Sequence, residues 1–258
     1  MSLLAMSWPG VWRGAGRVFS HEMRVTHYID TPEGGFSYVI ERRPRRRTVG
    51  IQVCPDGKVL VAAHPLVPHL YVKRLLRAKA AWVNRKLADA VLLHHHKASR
   101  SYAQGDVITY LGREYNLNFA TRSRLDEAGG ELHLGMRGKP ERDAVIAALT
   151  RWYKQQARLV LTERADLLTK KFGQQPTLIG IKSYRSRWGS CHSDGRIYFN
   201  WRLVMAPQNV IDYVVVHELC HLMHHNHSRD FWDQVAKLFP DYKEQRRWLR
   251  RQGPFLDL

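Results

Sequence analysis

Cysteine is scarce in this chain: 258 residues contain three, Cys54, Cys191 and Cys220. They form no CxxC pair and no regular framework. The odd, sparse count argues against disulfide stapling and for a reducing, cytoplasmic setting. Long apolar runs are also missing. None approaches the roughly 20 residues that cross a bilayer, and the longest are broken by Arg, His or Pro, so no membrane span is expected. Acidic residues are the third shortage, with 23 Asp and Glu against 41 Lys and Arg, for a net charge of +18 and a pI near 10.2. A field of that sign favours nucleic acid, acidic protein segments or anionic surfaces as partners. It is not confined to a tail: residues 1–140 carry 22 basic against 11 acidic groups, and residues 141–258 carry 19 against 12. Charge of this kind bears on association rather than on fold.

With 44% hydrophobic and 25% charged residues, the chain has an ordinary globular composition. Its length suits one large domain or two small ones. Met1–Gly16 lacks a basic stretch ahead of its apolar part, and Trp8-Pro9-Gly10 interrupts that part early, so it makes a poor signal peptide. Residues 1–23 are expected to be a disordered extension, with Met6 or Met23 as alternative starts.

Residues 24–140 read as a β-rich portion with one helix. Phe36–Glu41 and Thr48–Val53 alternate, and Pro55-Asp56-Gly57 forms a turn into Lys58–Ala63, which together suggest a hairpin or small meander. A helix opens at Val67-Pro68, with Leu75, Leu76, Ala80, Val83, Leu87 and Val91 at helical spacing. His94–His96 closes it. The tract has a metal-binding composition but is expected to be a solvated helix end. Asp106–Ala120 and Glu131–Leu134 add strands, and Arg137-Gly138-Lys139-Pro140 marks a boundary. Residues 141–258 read as mostly helical: a long amphipathic helix over 142–172, strands at Leu178–Ser183 and Arg196–Trp201 around a polar loop, then a helix opened by Pro207 and running to about His224. No internal repeat is apparent.

The chemistry concentrates in Val214–Arg229. His217-Glu218-Leu219-Cys220-His221 puts two imidazoles at i and i+4, one turn apart on one helical face, with Glu218 beside them. This is the spacing of a zinc peptidase helix. A catalytic zinc needs a third protein ligand and an open position. His227 is six residues past His221 and lies on another face of any straight helix, so the chain must leave the helix and turn back. Asn226 suits that turn by tolerating the left-handed conformation. Ser228 suits the N-cap of a following helix, which Phe231, Trp232, Val235, Leu238 and Phe239 would bury and Pro240 would stop. His225 continues the i, i+4 row and competes for the third position; His224 is a weaker competitor. Cys220 points away and reads as a small core residue. The expected reaction is peptide hydrolysis: zinc lowers the pKa of its bound water, and Glu218 takes the proton and returns it to the leaving amine. Tyr184–Cys191 is the candidate source of a donor for the developing negative charge, with Arg187 first and His192 second.

The runs RSRWGSC (185–191), GRIYFNWRLVMAP (195–207) and VIDYVVVHELCHLMHHNHSRDFW (210–232) resemble the YgjP-like metallopeptidases, relatives of the SprT-like and WLM peptidases. WYKQQA (152–157), YLGREYNL (110–117) and RRPRRRTVGIQV (42–53) extend the resemblance upstream over nearly all of the chain after about residue 24. It implies an α+β fold: a β-rich N-terminal portion, then a minimal zincin-like core over 141–258 with the HExxH active-site helix. It also implies Zn2+ at His217, His221 and His227, Glu218 as base, and a protein or peptide substrate. Three functional classes are consistent with these residues: a zinc endopeptidase; a nucleic-acid-associated protease acting on DNA-bound proteins, by analogy with SprT-like relatives; and a non-catalytic metal-binding protein. Glu218 argues against the last, because metal binding alone needs no base.

Overall fold

The computed structural model describes residues 25–54, 56–170 and 173–258. The expected extension over residues 1–23 lies outside them. The architecture is α+β and divides into two units, with the break between Ser99 and Arg100.

In the first unit, β1 (Thr26–Ile29), β2 (Phe36–Arg42), β3 (Gly50–Val53) and β4 (Val59–Ala63) form one sheet of order β1-β2-β4-β3. β3 and β4 are the antiparallel hairpin expected from the Asp56-Gly57 turn. β2, however, pairs in parallel with β4, so the sheet is not a simple meander. Two helices come next, α1 (His69–Ala78) and α2 (Ala80–Ala98). The single helix expected here breaks at Lys79, whose φ of −113° and ψ of 10° leave helical geometry and whose N–H is shared between the carbonyls of Leu75 and Leu76. The break re-phases the apolar stripe. Val72, Leu76, Ala80 and Val83 pack against Ile29, Phe36, Tyr38, Val59 and Val61, while Val91 is left 54% exposed and Ala90 and Leu93 are buried in its place.

The second unit begins with β5 (Val107–Tyr110), β6 (Arg113–Ala120), β7 (Arg124–Asp126) and β8 (Glu131–Gly135), in the order β5-β6-β8-β7. The outer pairs are antiparallel and β6 runs parallel to β8. This repeats the order and sense of the first sheet, although no sequence repeat announces it. The expected boundary at 137–140 is only the loop into α3 (Arg142–Thr169). Leu117, Leu132 and Leu134 of the sheet share a core with Val145, Leu149 and Trp152 of α3, so residues 100–140 belong to the same unit as α3.

The same core takes in a three-stranded sheet of β9 (Leu178–Lys182), β10 (Gly189–Cys191) and β11 (Arg196–Asn200), ordered β10-β11-β9. A 3-10 turn at Trp201–Met205 leads into α4 (Gln208–Cys220), and α5 (Arg229–Leu238) and α6 (Tyr242–Gln252) complete the helices. The tight β5–β6 turn, with Leu111 and Gly112 both at positive φ, bonds to the Val204 and Met205 carbonyls. A Cβ at Gly112 would lie 2.8 Å from Pro207, so glycine lets this turn seat against the entry to α4.

Candidate metal centre

α4 is apolar almost all round: Val210, Ile211, Tyr213, Val214, Val215, Val216, Leu219 and Cys220 are all buried. A helix of that composition sits in the middle of a core. Arg164 of α3 donates two hydrogen bonds, of 2.7 and 2.8 Å, to the Asp212 carboxylate and ties the first half of α4 to α3. The polar groups that this helix carries into the interior are His217, 3% exposed, and Glu218, 5% exposed.

The helix ends at Cys220, earlier than the His224 expected from its pattern. The N–H groups of His221, Leu222 and Met223 bond three residues back and tighten the last turn, and His224 N–H bonds to the Cys220 carbonyl. The i, i+4 row therefore stops before His225, which is exposed. Asn226 is not left-handed, since among the described non-glycine residues only Tyr102 and Leu111 have positive φ. It shapes the turn with its side chain instead, Oδ1 accepting from the Ser228 N–H at 3.2 Å. Ser228 caps α5 by accepting from the Phe231 N–H.

This turn returns His227 to the face of α4. Its Nε2 lies 3.1 Å from His217 Nε2, and its ring centroid is 4.7 Å from that of His221. One nitrogen from each of His217, His221 and His227 falls within 4.8 Å of the others. His221 Nδ1 is 2.9 Å from the His224 carbonyl oxygen. Donation there leaves Nε2 as a free lone pair facing its partners. Burial pushes all three imidazoles towards the neutral form: His217 well below its usual pKa, His221 below it, and His227 down to about 4. Neutral, converging nitrogens are what a metal site requires. In a tetrahedral site with Zn–N bonds of about 2.0–2.1 Å, two donor nitrogens lie roughly 3.3 Å apart, close to the 3.1 Å between the Nε2 atoms of His217 and His227.

Glu218 faces β10. Burial raises its carboxyl pKa to about 8, against the opposing pull of the Arg187 charge and of the Cys191 backbone N–H. Gly189 lies directly over the carboxylate, and a Cβ there would sit 2.5 Å from Glu218 Cγ and Oε1. The buried Asn200 side chain holds this loop by donating to the Tyr184 and Arg187 carbonyls. Within the β10–β11 pair, Asn200 N–H bonds to the Trp188 carbonyl and His192 N–H to that of Arg196. By the alternation of an antiparallel ladder, the backbone groups of Gly189 and Cys191 then face away from β11. β10 is an outer strand of its sheet, so this is an open edge beside Glu218.

His217, His221 and His227 thus come together, with Glu218 the residue after His217 on α4, while His225 lies outside the cluster. Of the two expected donors, Arg187 acts on Glu218, whereas His192 packs edge-on against Tyr198 at 5.4 Å. The site also involves Gly189, which stands in the sequence only as one position of the RSRWGSC run, and β10, which falls within the expected polar loop.

Comparison with curated proteins gives no match. Among solved structures, the metallopeptidase zymogen of Pyrococcus abyssi abylysin aligns at 24% identity over 38% of this chain and 95% of its own, with a TM-score of 0.31. The model of the YgjP-like metallopeptidase domain matches residues 47–252, which is 206 of 258 residues and includes every residue of the cluster. The chain belongs to the YgjP-like metallopeptidase family.

Proposed function

We propose that the chain is a zinc-dependent peptidase in which His217, His221 and His227 hold the metal and Glu218 is the general base. One observation carries the reading: three neutral imidazole nitrogens converge at the end of the helix that also buries a carboxylate, Glu218, next to His217. A structural cluster would need the histidines but not the acid. The metal, when bound, acidifies a water molecule and polarises a substrate carbonyl.

The chain's own groups supply the rest. Glu218 accepts a proton on its carboxylate and returns it to the leaving amine nitrogen. Burial holds this carboxyl at a pKa of about 8 in the metal-free protein. A divalent cation beside it lowers that value towards neutrality, where one group can both take and give a proton. The open edge of β10 offers the Gly189 N–H and carbonyl to an extended peptide, which would add to the sheet as a further strand. Arg187 is exposed and carries a charge felt at Glu218, and it stabilises the negative charge that develops on the scissile carbonyl oxygen.

Glu218→Gln tests the assignment. It removes the base and keeps the shape, so zinc content should match the parent while peptide hydrolysis falls by about 10²-fold or more. Retained hydrolysis in a zinc-loaded Glu218→Gln protein would refute the mechanism.

A further inference from the structure

A ligating histidine ordinarily donates its second ring nitrogen to a carboxylate, carbonyl or water, and that bond sets the plane of the ring. His221 fits this pattern through the His224 carbonyl. His217 does not: its Nδ1 is fully buried and has no hydrogen-bond partner among the described residues. The surroundings of His217 are aromatic. The Phe231 ring, 0% exposed, lies edge-on to His217 with centroids 5.0 Å apart. It stacks on His221 at 4.5 Å and 28°, and meets His227 edge-on at 4.8 Å. One phenyl ring therefore touches all three imidazoles. Behind it, Trp232 stacks on His227 at 5.7 Å and 26° and reaches His217 at 5.8 Å. Tyr242 stacks on Trp232 at 5.3 Å, and the Arg246 guanidinium lies 5.1 Å from the centre of the Trp232 ring.

The origin of this layer is local. Phe231 and Trp232 occupy the first turn of α5, and Ser228 caps that turn through the Phe231 N–H. The segment that delivers the third histidine thus also delivers the rings against which all three pack. Stacked and edge-to-face contacts at these separations are directional, so they restrict ring planes as a hydrogen bond would.

We infer that Phe231, backed by Trp232, is a positioning residue for the metal: its ring holds the planes of His217, His221 and His227 in the arrangement that binds zinc. This rests on the zinc reading above. An aliphatic side chain fills most of the same space but cannot set three ring planes, so Phe231→Leu keeps the bulk of the packing while removing the orienting ring.

The test measures Zn2+ affinity by chelator competition, and the visible d–d spectrum of the Co2+-substituted protein, in the parent, Phe231→Leu and Trp232→Leu. Phe231→Leu is expected to weaken Zn2+ binding about tenfold or more, the scale on which groups supporting metal ligands act, and to alter the Co2+ bands. Trp232→Leu, whose parent ring touches two of the three imidazoles, should weaken binding by less than Phe231→Leu does. If Phe231→Leu does not fold by circular dichroism, Trp232→Leu decides the question alone. Parent-like Zn2+ affinity and Co2+ spectra in a folded variant would overturn the inference and leave the zinc reading standing. A parent protein that binds no Zn2+ would overturn both.

Discussion

Glu218 and Gly189 make the sharpest case at the scale of single residues. The carboxylate lies beneath the strand backbone with no space for a side chain between them. Gly189→Ala would place a methyl group 2.5 Å from the carboxylate, so either β10 or Glu218 must shift. The histidines stand on α4 and the turn after it, and the three atoms nearest to a Gly189 Cβ all belong to Glu218. A displacement of about 1 Å at a catalytic group can cost about 10²-fold in rate. Gly189→Ala should therefore lose kcat on that order while binding zinc as the parent does, as steady-state kinetics beside a zinc titration would measure; parent kcat would mean that Gly189 is only a strand residue. The histidines and Glu218 are legible in sequence because i, i+4 spacing and a nearby third histidine are local relations. The role of Gly189 is not, because it is a contact with a residue 29 positions away in the chain. Asn226 marks the turn as expected but by a different means, since its side-chain oxygen does the work expected of its backbone.

Among elements, α4 decides the site. Its near-continuous burial places His217 and Glu218 in a medium that disfavours charge. Arg164 and Asp212 bond the helix to α3, with side chains 24% and 14% exposed. Asp212→Ala leaves Arg164 half-buried without its carboxylate. The cost should be about 2 kcal/mol, between the values for exposed and fully buried pairs. Urea unfolding would show it as a lowered midpoint; an unchanged midpoint would mean that α4 is held by apolar packing alone. Long amphipathic elements such as α3 are readable from periodicity. β10 is not, being three residues inside a polar loop and defined only by its pairing with β11. The end of α4 escapes for a similar reason: periodicity continues to His225, while the hydrogen bonds tighten after Cys220. The break at Lys79 likewise leaves no mark in composition.

Over the whole molecule, two four-stranded sheets share one strand order and sense in separate units, one of which contains the histidine cluster. Sequence periodicity does not reveal this repetition, because register and pairing are set by contacts between segments rather than within them. Charge distinguishes the units no better. Residues 25–99 carry 13 basic against 5 acidic groups and residues 100–258 carry 25 against 17, a net +8 in each, and charge of this kind does not by itself assign a partner. Among the described residues no helix is long and apolar enough to cross a membrane. Among the described residues, the molecule is distinguished by the family to which it belongs and by a place where three neutral imidazoles converge on the helix that buries Glu218. The central claim is that this place holds one zinc ion through His217, His221 and His227. Zinc stoichiometry of the intact protein, beside His227→Ala and His225→Ala, tests it most directly. One zinc per chain in the parent and in His225→Ala, with loss in His227→Ala, is the predicted result; zinc retained in His227→Ala and lost in His225→Ala would contradict it.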